Sequence, residues 1–169
     1  MAGVDFEQGP GGVKLAFLQD GAADDLGRCG FFWLGGFMSD MLGSKAEALA
    51  ALARETRRPG LRLDYSGHGQ SGGQFTDGTI SDWLEQSIHM FIEKTRSKRI
   101  IVGSSMGGWL ALLLAKVLLR DDPRAARRMA GIVLIAPAAD MTSDLMLNTF
   151  PPEALEQLKA RGVYERPSD

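Results

Sequence analysis

A serine with the spacing of an acyl-transfer nucleophile lies in the middle of the chain. The segment Gly103-Ser104-Ser105-Met106-Gly107 matches the pattern Gly-x-Ser-x-Gly, in which Ser105 is the candidate nucleophile. A serine hydroxyl is presented for attack when the chain turns so sharply that the side chain projects from the edge of a sheet. Such a turn strains its middle residue and leaves room only for small neighbours two positions away, here Gly103 and Gly107. The pattern therefore predicts a strained turn with Ser105 at its tip.

The segments on either side of this motif fit a strand followed by a helix. Ile100 to Val102 are β-branched, as in a buried strand, and Trp109 to Leu119 is apolar except for Lys116. The free N–H groups at the start of the predicted helix would favour negative charge developing near Ser105. A glycine-rich turn with an incidental serine is the alternative interpretation.

A second glycine loop could supply the other half of such a site. Acyl transfer passes through an oxyanion, which two backbone N–H groups usually stabilise. One belongs to the residue after the nucleophile, here Met106, and the other comes from the loop after an earlier strand. The segment Leu34-Gly35-Gly36-Phe37-Met38 is placed for that role. We predict Phe37 as the donor, with Met38 as second choice. A tight strand-to-helix turn without this role is the alternative.

Strand-like and helix-like segments alternate along the chain. This pattern predicts an α/β fold with a mostly parallel, doubly wound sheet and helices on both faces. Ligands of such sheets bind outside the carboxyl ends of the strands, where we expect the glycine loops 35–36, 67–73 and 103–108 to converge. The predicted strands are 13–18, 30–34, 61–65, 100–102 and 131–136, and the predicted helices are 44–57, 79–97, 106–120 and 152–159.

Composition excludes several classes of protein. The 169 residues suit a single domain, 1–169, and a net charge of −2 gives no reason to expect nucleic acid as a partner. The longest apolar stretch is too short to span a bilayer.

A single cysteine, Cys29, and no visible secretory signal favour a reducing, cytoplasmic location. No residues have metal-ligand spacing and no dinucleotide-binding pattern follows a strand, so we expect neither a metal nor another cofactor.

Three motifs together resemble the α/β-hydrolase superfamily: Gly35-Gly36-Phe37 after a strand, the loop from Asp64 to Ser71, and the segment from Gly103 to Trp109. The strings Asp-Tyr-Ser-Gly-x-Gly-x-Ser and Gly-Ser-Ser-Met-Gly-Gly-Trp resemble the palmitoyl-protein thioesterase / mycophenolic acid acyl-glucuronide esterase group of serine hydrolases. The resemblance covers residues 30–140. It implies hydrolysis of a small-molecule carboxylic ester or thioester through an acyl-enzyme on Ser105, with Phe37 and Met106 as oxyanion donors.

The general base that this resemblance requires is not found in the sequence. The family places its acid and then its histidine after the nucleophile, whereas His68 and His89 both precede Ser105. We interpret His68 as part of a structural loop and His89 as a packing or surface residue. Asp64 is expected to bind backbone groups in its loop. Asp140, the best acid candidate, is expected to cap a loop.

These observations predict a truncated α/β-hydrolase fold. We expect the N-terminal two thirds of a hydrolase, ending after the sixth family strand, with 141–163 as the start of a lid insertion. Without the family's acid and histidine, this chain should have little or no activity. Two alternatives stay open: a non-catalytic ligand-binding remnant, and an acyltransferase or peptidase on the same fold. The strand 131–136, left as a raw apolar edge, predicts self-association.

Overall fold

Six strands form one sheet in the computed structural model, which describes residues 3–24 and 27–164. The order across the sheet is β1-β2-β4-β3-β5-β6. The strands β4, β3, β5 and β6 run parallel, whereas β1 and β2 pair antiparallel at one side. Their bounds are β1 Asp5–Gln8, β2 Lys14–Asp20, β3 Gly30–Leu34, β4 Gly60–Leu63, β5 Arg99–Ser104 and β6 Met129–Ile135. The mostly parallel α/β sheet predicted from the sequence is confirmed.

Helices from the same part of the chain cover both faces of this sheet: α1 Ser44–Glu55, α2 Ile80–Lys94 and α3 Met106–Asp121. Two further helices are α4 Pro123–Ala126 and α5 Pro152–Arg161. The crossover from β3 to β4 through α1 runs towards β1, and the crossover from β5 to β6 through α3 runs the opposite way. Because such crossovers are right-handed, α1 and α3 lie on opposite faces, and α2 packs against α3.

The strand order reverses at β3, which fixes where a ligand can approach. From β3 the chain moves to β4 on one side and then crosses back to β5 on the other side. Loops leaving the carboxyl ends of β3 and β5 therefore separate and leave a crevice between them. The loops that follow Leu34 and Ser104 flank this crevice.

Local sequence signals account for the start of α2 and the buried face of α1. Thr79 and Asp82 form a capping box, in which each side chain accepts a hydrogen bond from the other residue's backbone N–H. The small residues Ala46, Ala50 and Ala53 recur at helical spacing and are all buried. Their size lets α1 lie close to the sheet.

The sheet differs from the sequence prediction most clearly at its first and last strands. The strand β1 was not predicted from the sequence, and a short 3₁₀ helix, Pro10–Gly12, follows it. The last strand, β6, begins at Met129, two residues before the predicted start. It ends the strand order, and Ile132, Val133 and Leu134 are 37%, 48% and 37% exposed.

The described chain divides into two compact units, Met1–Ala139 and Asp140–Asp169. The second unit contains a π-helical turn over Met141–Met146, a 3₁₀ turn over Leu147–Thr149, and α5. The predicted lid segment 141–163 falls in this second unit, and its role as a lid stays a prediction. None of the helices within 3–24 and 27–164 is long and apolar enough to cross a membrane.

Candidate active site

Ser105 occupies a one-residue turn between β5 and α3. The strand ends at Ser104 and the helix begins at Met106, so the whole change of direction falls on Ser105, with φ 54° and ψ −120°. A non-glycine residue in this region costs on the order of 1–3 kcal/mol and persists only where the surroundings enforce it. The predicted strained strand-turn-helix geometry is confirmed.

The glycines two positions away from Ser105 are required by close backbone contacts. A Cβ atom on Gly107 would lie 2.1 Å from the carbonyl oxygen of Leu34, and one on Gly103 would lie 2.3 Å from the carbonyl oxygen of Gly107. Neither distance is compatible with a side chain. The Gly-x-Ser-x-Gly pattern thus reflects the packing of this turn against β3.

Main-chain hydrogen bonds from the end of β6 hold the turn from the other side. The Ser105 N–H donates to the carbonyl oxygen of Ile135 at 3.0 Å. The Ser105 carbonyl accepts from the N–H groups of Gly108 at 2.9 Å and Ala138 at 3.0 Å. Since C=O and N–H point in opposite directions across a trans peptide, these bonds turn the Met106 N–H away from Ala138.

The loop after β3 approaches Ser105 closely. A Cβ atom on Gly36 would lie 3.4 Å from the Cβ atom of Ser105. Beyond Gly36 the chain makes a turn in which the Ser39 N–H donates to the Gly36 carbonyl at 3.2 Å, and Met38 has φ 55°. The Gly36 carbonyl and the Phe37 N–H belong to the same peptide, so this turn determines where the Phe37 N–H points.

Residues with strained backbone conformations lie around this crevice. Three of the described residues, Met38, Ser105 and Ala136, have a positive φ and lie in the segments that follow β3, β5 and β6, respectively. These three strands are adjacent in the sheet. Strain of this kind concentrates at functional sites, which marks the edge formed by these strand ends as the candidate active site.

Aromatic side chains form one wall of the site. The Phe37 ring, 36% exposed, meets the rings of Phe75 and Trp83 edge to face, at centroid distances of 5.0 and 6.1 Å. Trp83 also contacts His68 and donates its indole N–H to the Ser66 carbonyl at 3.1 Å. The β3 loop therefore packs on the loop after β4 and on α2.

Asp64 joins two loops through their backbones. One carboxylate oxygen accepts from the Met41 N–H at 2.6 Å, and the other accepts from the Gln70 N–H at 2.9 Å. Burial raises the pKa of the Asp64 carboxyl, and these two hydrogen bonds oppose that shift. The expected backbone-binding role of Asp64 is confirmed.

Neither histidine is hydrogen-bonded to Ser105. His68 is buried, its Nδ1 lies 3.1 Å from the Ser66 carbonyl oxygen, and its Nε2 has no hydrogen-bond partner in the described part of the chain. His89 lies in the middle of α2, with Nε2 3.7 Å from the carboxylate of Glu7. Both placements agree with the structural interpretation of these residues.

Asp140 differs from expectation. It begins the π-helical turn with φ 50°, but its side chain makes no capping hydrogen bond. The prediction of a loop-capping side chain is therefore wrong, because the left-handed backbone of Asp140 makes this turn without it. Within 3–24 and 27–164, no group of three or more His, Cys, Asp or Glu side chains could hold a metal ion.

Sequence reasoning missed three residues that shape the site. The Tyr65 hydroxyl donates to the Gly35 carbonyl at 3.2 Å, Ala136 is strained, and Ala138 binds the Ser105 carbonyl. Tyr65 belongs to the Asp-Tyr-Ser-Gly-x-Gly-x-Ser motif, directly after Asp64, and this membership is its one signal in the sequence. The two alanines carry no signal, since their contribution comes from their backbones.

Comparison with known proteins identifies the family. A family model described as the alpha/beta hydrolase family matches residues 26–168. The chain belongs to the alpha/beta hydrolase family. It is 30% identical over 139 residues to a human protein named palmitoyl-protein thioesterase ABHD10, mitochondrial, which covers 82% of this chain. The chain spans 43% of the length of that relative.

Solved structures agree with this assignment. A protein from Agrobacterium vitis S4, named as a hydrolase, is 40% identical, with a TM-score of 0.82 over 100% of this chain and 64% of its own. Alpha/beta hydrolase domain-containing protein 10 from mouse is 25% identical, with a TM-score of 0.78 over 98% of this chain and 62% of its own. The predicted α/β-hydrolase fold is thus confirmed, and its known relatives are hydrolases.

Proposed function

We propose that this chain carries the nucleophile side of a serine hydrolase that cleaves carboxylic esters or thioesters, with Ser105 as the nucleophile. The observation that carries the proposal is the strained turn at Ser105, with φ 54°, directly beside Gly36 of the β3 loop. A turn of this kind exposes the hydroxyl at the helix start, where the backbone favours an anion.

The proposed reaction uses the Ser105 hydroxyl and two backbone N–H groups that lie beside it. The Ser105 Oγ attacks the acyl carbon, and its proton passes to a base. The oxyanion accepts hydrogen bonds from the N–H groups of Phe37 and Met106, which is the assignment made from the sequence. The alcohol or thiol then leaves with a proton, and water releases the acid from the acyl-enzyme and restores Ser105.

Acyl groups are the substrate class that best suits this surface. Phe37 and Met38 expose 36% and 75% of their area on the loop next to Ser105. This apolar surface can contact an acyl chain. The relatives named palmitoyl-protein thioesterase support thioesters as a substrate class, next to oxygen esters.

The base is the missing part of the proposed machinery. Both histidines precede Ser105 in the sequence, and neither is hydrogen-bonded to it. We therefore propose that the 169 residues hydrolyse esters weakly unless a base is supplied from solution. A positioned general base contributes roughly 10²- to 10⁴-fold, so we expect the rate without one to be lower by about that factor.

Imidazole as an external base tests the proposal. Hydrolysis of a p-nitrophenyl ester would be followed at increasing imidazole concentration, for the wild type and for Ser105→Ala. Subtracting the rate of the variant removes the direct attack of imidazole on the ester. We expect a Ser105-dependent rate that rises with imidazole, and a fluorophosphonate adduct on the peptide containing Ser105.

The alternatives give different results. A ligand-binding remnant would show no Ser105-dependent rate and no adduct at any imidazole concentration, which would overturn the proposal. Fast hydrolysis without imidazole, abolished in Ser105→Ala, would show that the chain contains its own base. An acyltransferase would pass the acyl group to an added alcohol in preference to water.

A further inference from the structure

Tyr65 carries a buried hydroxyl group that takes no direct part in the proposed reaction. It follows β4 and is 1% exposed. Its hydroxyl donates a hydrogen bond to the carbonyl oxygen of Gly35, at 3.2 Å. Burial raises the pKa of this hydroxyl far above neutral, so it keeps its proton and remains a donor at working pH.

The Gly35 carbonyl, which accepts this hydrogen bond, belongs to the loop next to Ser105. The Gly35 carbonyl and the Gly36 N–H share one peptide plane, so a bond to the carbonyl fixes the direction of both. Gly36 is the residue beside Ser105, and its own carbonyl is held by the Ser39 N–H at 3.2 Å. Tyr65 and Ser39 thus hold the two successive peptides that end at the Phe37 N–H.

Residues of β4 and its loop hold the other end of the same segment. Asp64 accepts from the Met41 N–H at 2.6 Å, and the Arg62 guanidinium donates to the Met41 carbonyl at 2.7 Å. The far end of the loop is therefore anchored independently of Tyr65. Removing the Tyr65 hydroxyl releases only the end next to Ser105.

We propose that Tyr65 is a positioning residue, which orients the Gly35–Gly36 peptide so that the Phe37 N–H faces the oxyanion formed on the Ser105 adduct. This inference rests on the proposed function. Tyr65 touches no reacting atom and acts through the loop. Its ring packs against His68 and Trp83, at centroid distances of 5.5 and 6.3 Å, which keeps the hydroxyl in place without help from solvent.

The substitution Tyr65→Phe tests this role because it removes the hydroxyl and keeps the ring. Tyr164→Phe is the matched control, since Tyr164 is the other tyrosine of the sequence and lies in the second unit. The Ser105-dependent, imidazole-supported kcat should fall roughly 10- to 100-fold in Tyr65→Phe, because a small misplacement of a catalytic group costs this much. KM should stay unchanged, as should all parameters of the control.

Amide hydrogen exchange supplies a readout that does not depend on activity. In Tyr65→Phe the amides of Gly36 and Phe37 should exchange faster, whereas that of Met41 should not change. A general loss of structure would speed exchange at all three amides and shift the urea midpoint. If Tyr65→Phe does not fold, Tyr65→Met provides a flexible side chain of similar reach without a hydroxyl.

The outcomes separate this inference from the function on which it rests. A wild type without any Ser105-dependent rate overturns the proposed function, and with it the role of Tyr65 in positioning the Phe37 N–H toward an oxyanion. A wild-type rate that Tyr65→Phe retains, with unchanged exchange at Gly36 and Phe37, overturns the positioning role alone. A fall in kcat together with faster exchange at these two amides supports it.

Discussion

At the scale of single residues, the tightest constraint on the site is steric. Gly107→Ala would place a Cβ atom 2.1 Å from the Leu34 carbonyl oxygen, so α3 would have to move away from β3. We expect the free energy of unfolding to fall by about 1–3 kcal/mol, as for other overpacked positions. Gly131→Ala is the control, because a Cβ there meets nothing within 4 Å. Urea denaturation of both variants would measure this loss of stability. Equal unfolding midpoints for Gly107→Ala and Gly131→Ala would contradict the steric argument.

The residues of the site divide into those that a sequence reveals and those that it does not. Ser105 and Gly107 were predictable, because the need for small neighbours around a sharp turn is a local property of the chain. Tyr65 and Ala138 were not, because their contributions are bonds to residues 30 and 33 positions away. Such contacts exist only once the sheet has brought the strand ends together.

At the scale of elements, an ion pair between a buried arginine and a half-buried aspartate joins the loop after β2 to the start of β5. Arg99, 1% exposed, meets the Asp24 carboxylate at 2.6 Å, and Ser97 donates to the same carboxylate. Burial by itself would raise the pKa of Asp24, but the hydrogen bonds from Arg99 and Ser97 outweigh it and lower the pKa. The pair therefore ties the entry of the central strand β5 to a surface loop.

A lowered pKa makes this contribution to stability depend on pH. The stabilisation is present above the usual pKa of an aspartate, about 4, and is lost as the pH falls through the lowered value. Asp24→Asn should cost about 2 kcal/mol at neutral pH, since it leaves a buried guanidinium poorly paired. The difference from wild type should shrink in acid. Urea denaturation at neutral and acidic pH would measure this, with the exposed Asp77→Asn as control; a difference that is constant with pH would contradict the assignment.

Strands whose own residues form a clear apolar pattern were predictable from the sequence. Strands that form mainly by pairing with a neighbouring strand were not. The strand β3 was predicted with its observed bounds, because five successive apolar or small residues suit an interior strand. The strand β1 was missed, because Asp5–Gln8 is short, polar and mostly exposed. It forms by antiparallel pairing with β2, and Lys14 lies 3.9 Å from the centre of the Phe6 ring. Neither interaction is visible in the sequence pattern of β1 itself.

At the scale of the whole molecule, the candidate site is a product of topology. Its parts come from the ends of β3, β5 and β6, with the loop after β4 holding them, and no two of these segments are adjacent in sequence. A parallel sheet brings all four ends to one edge, and the order reversal at β3 opens the crevice between them. The alternation of strands and helices was therefore enough to predict that the glycine loops converge. The distances between these loops could be obtained only from the structure.

The last strand of the sheet, β6, presents exposed apolar side chains at the end of the strand order in the described part of the chain. Within the described residues β6 pairs with β5 on one side only, and it contains no charged residue. Ile132, Val133 and Leu134 are each more than one third exposed. Natural edge strands are usually protected by charges, proline or a covering segment, because free N–H and C=O groups recruit another strand. A second copy can pair with β6 antiparallel about a two-fold axis, which continues the sheet and buries these side chains.

We therefore expect the 169-residue chain to associate in solution. Sedimentation velocity should show dimers or larger species at micromolar concentrations for the wild type. Val133→Lys should shift the population to monomer, because a lysine on an edge strand opposes pairing through charge and solvation. Leu119→Lys is the matched control, since Leu119 is 66% exposed but lies on α3. A monomeric wild type, with slow amide exchange along Ile132 to Ile135, would show that another segment covers this edge.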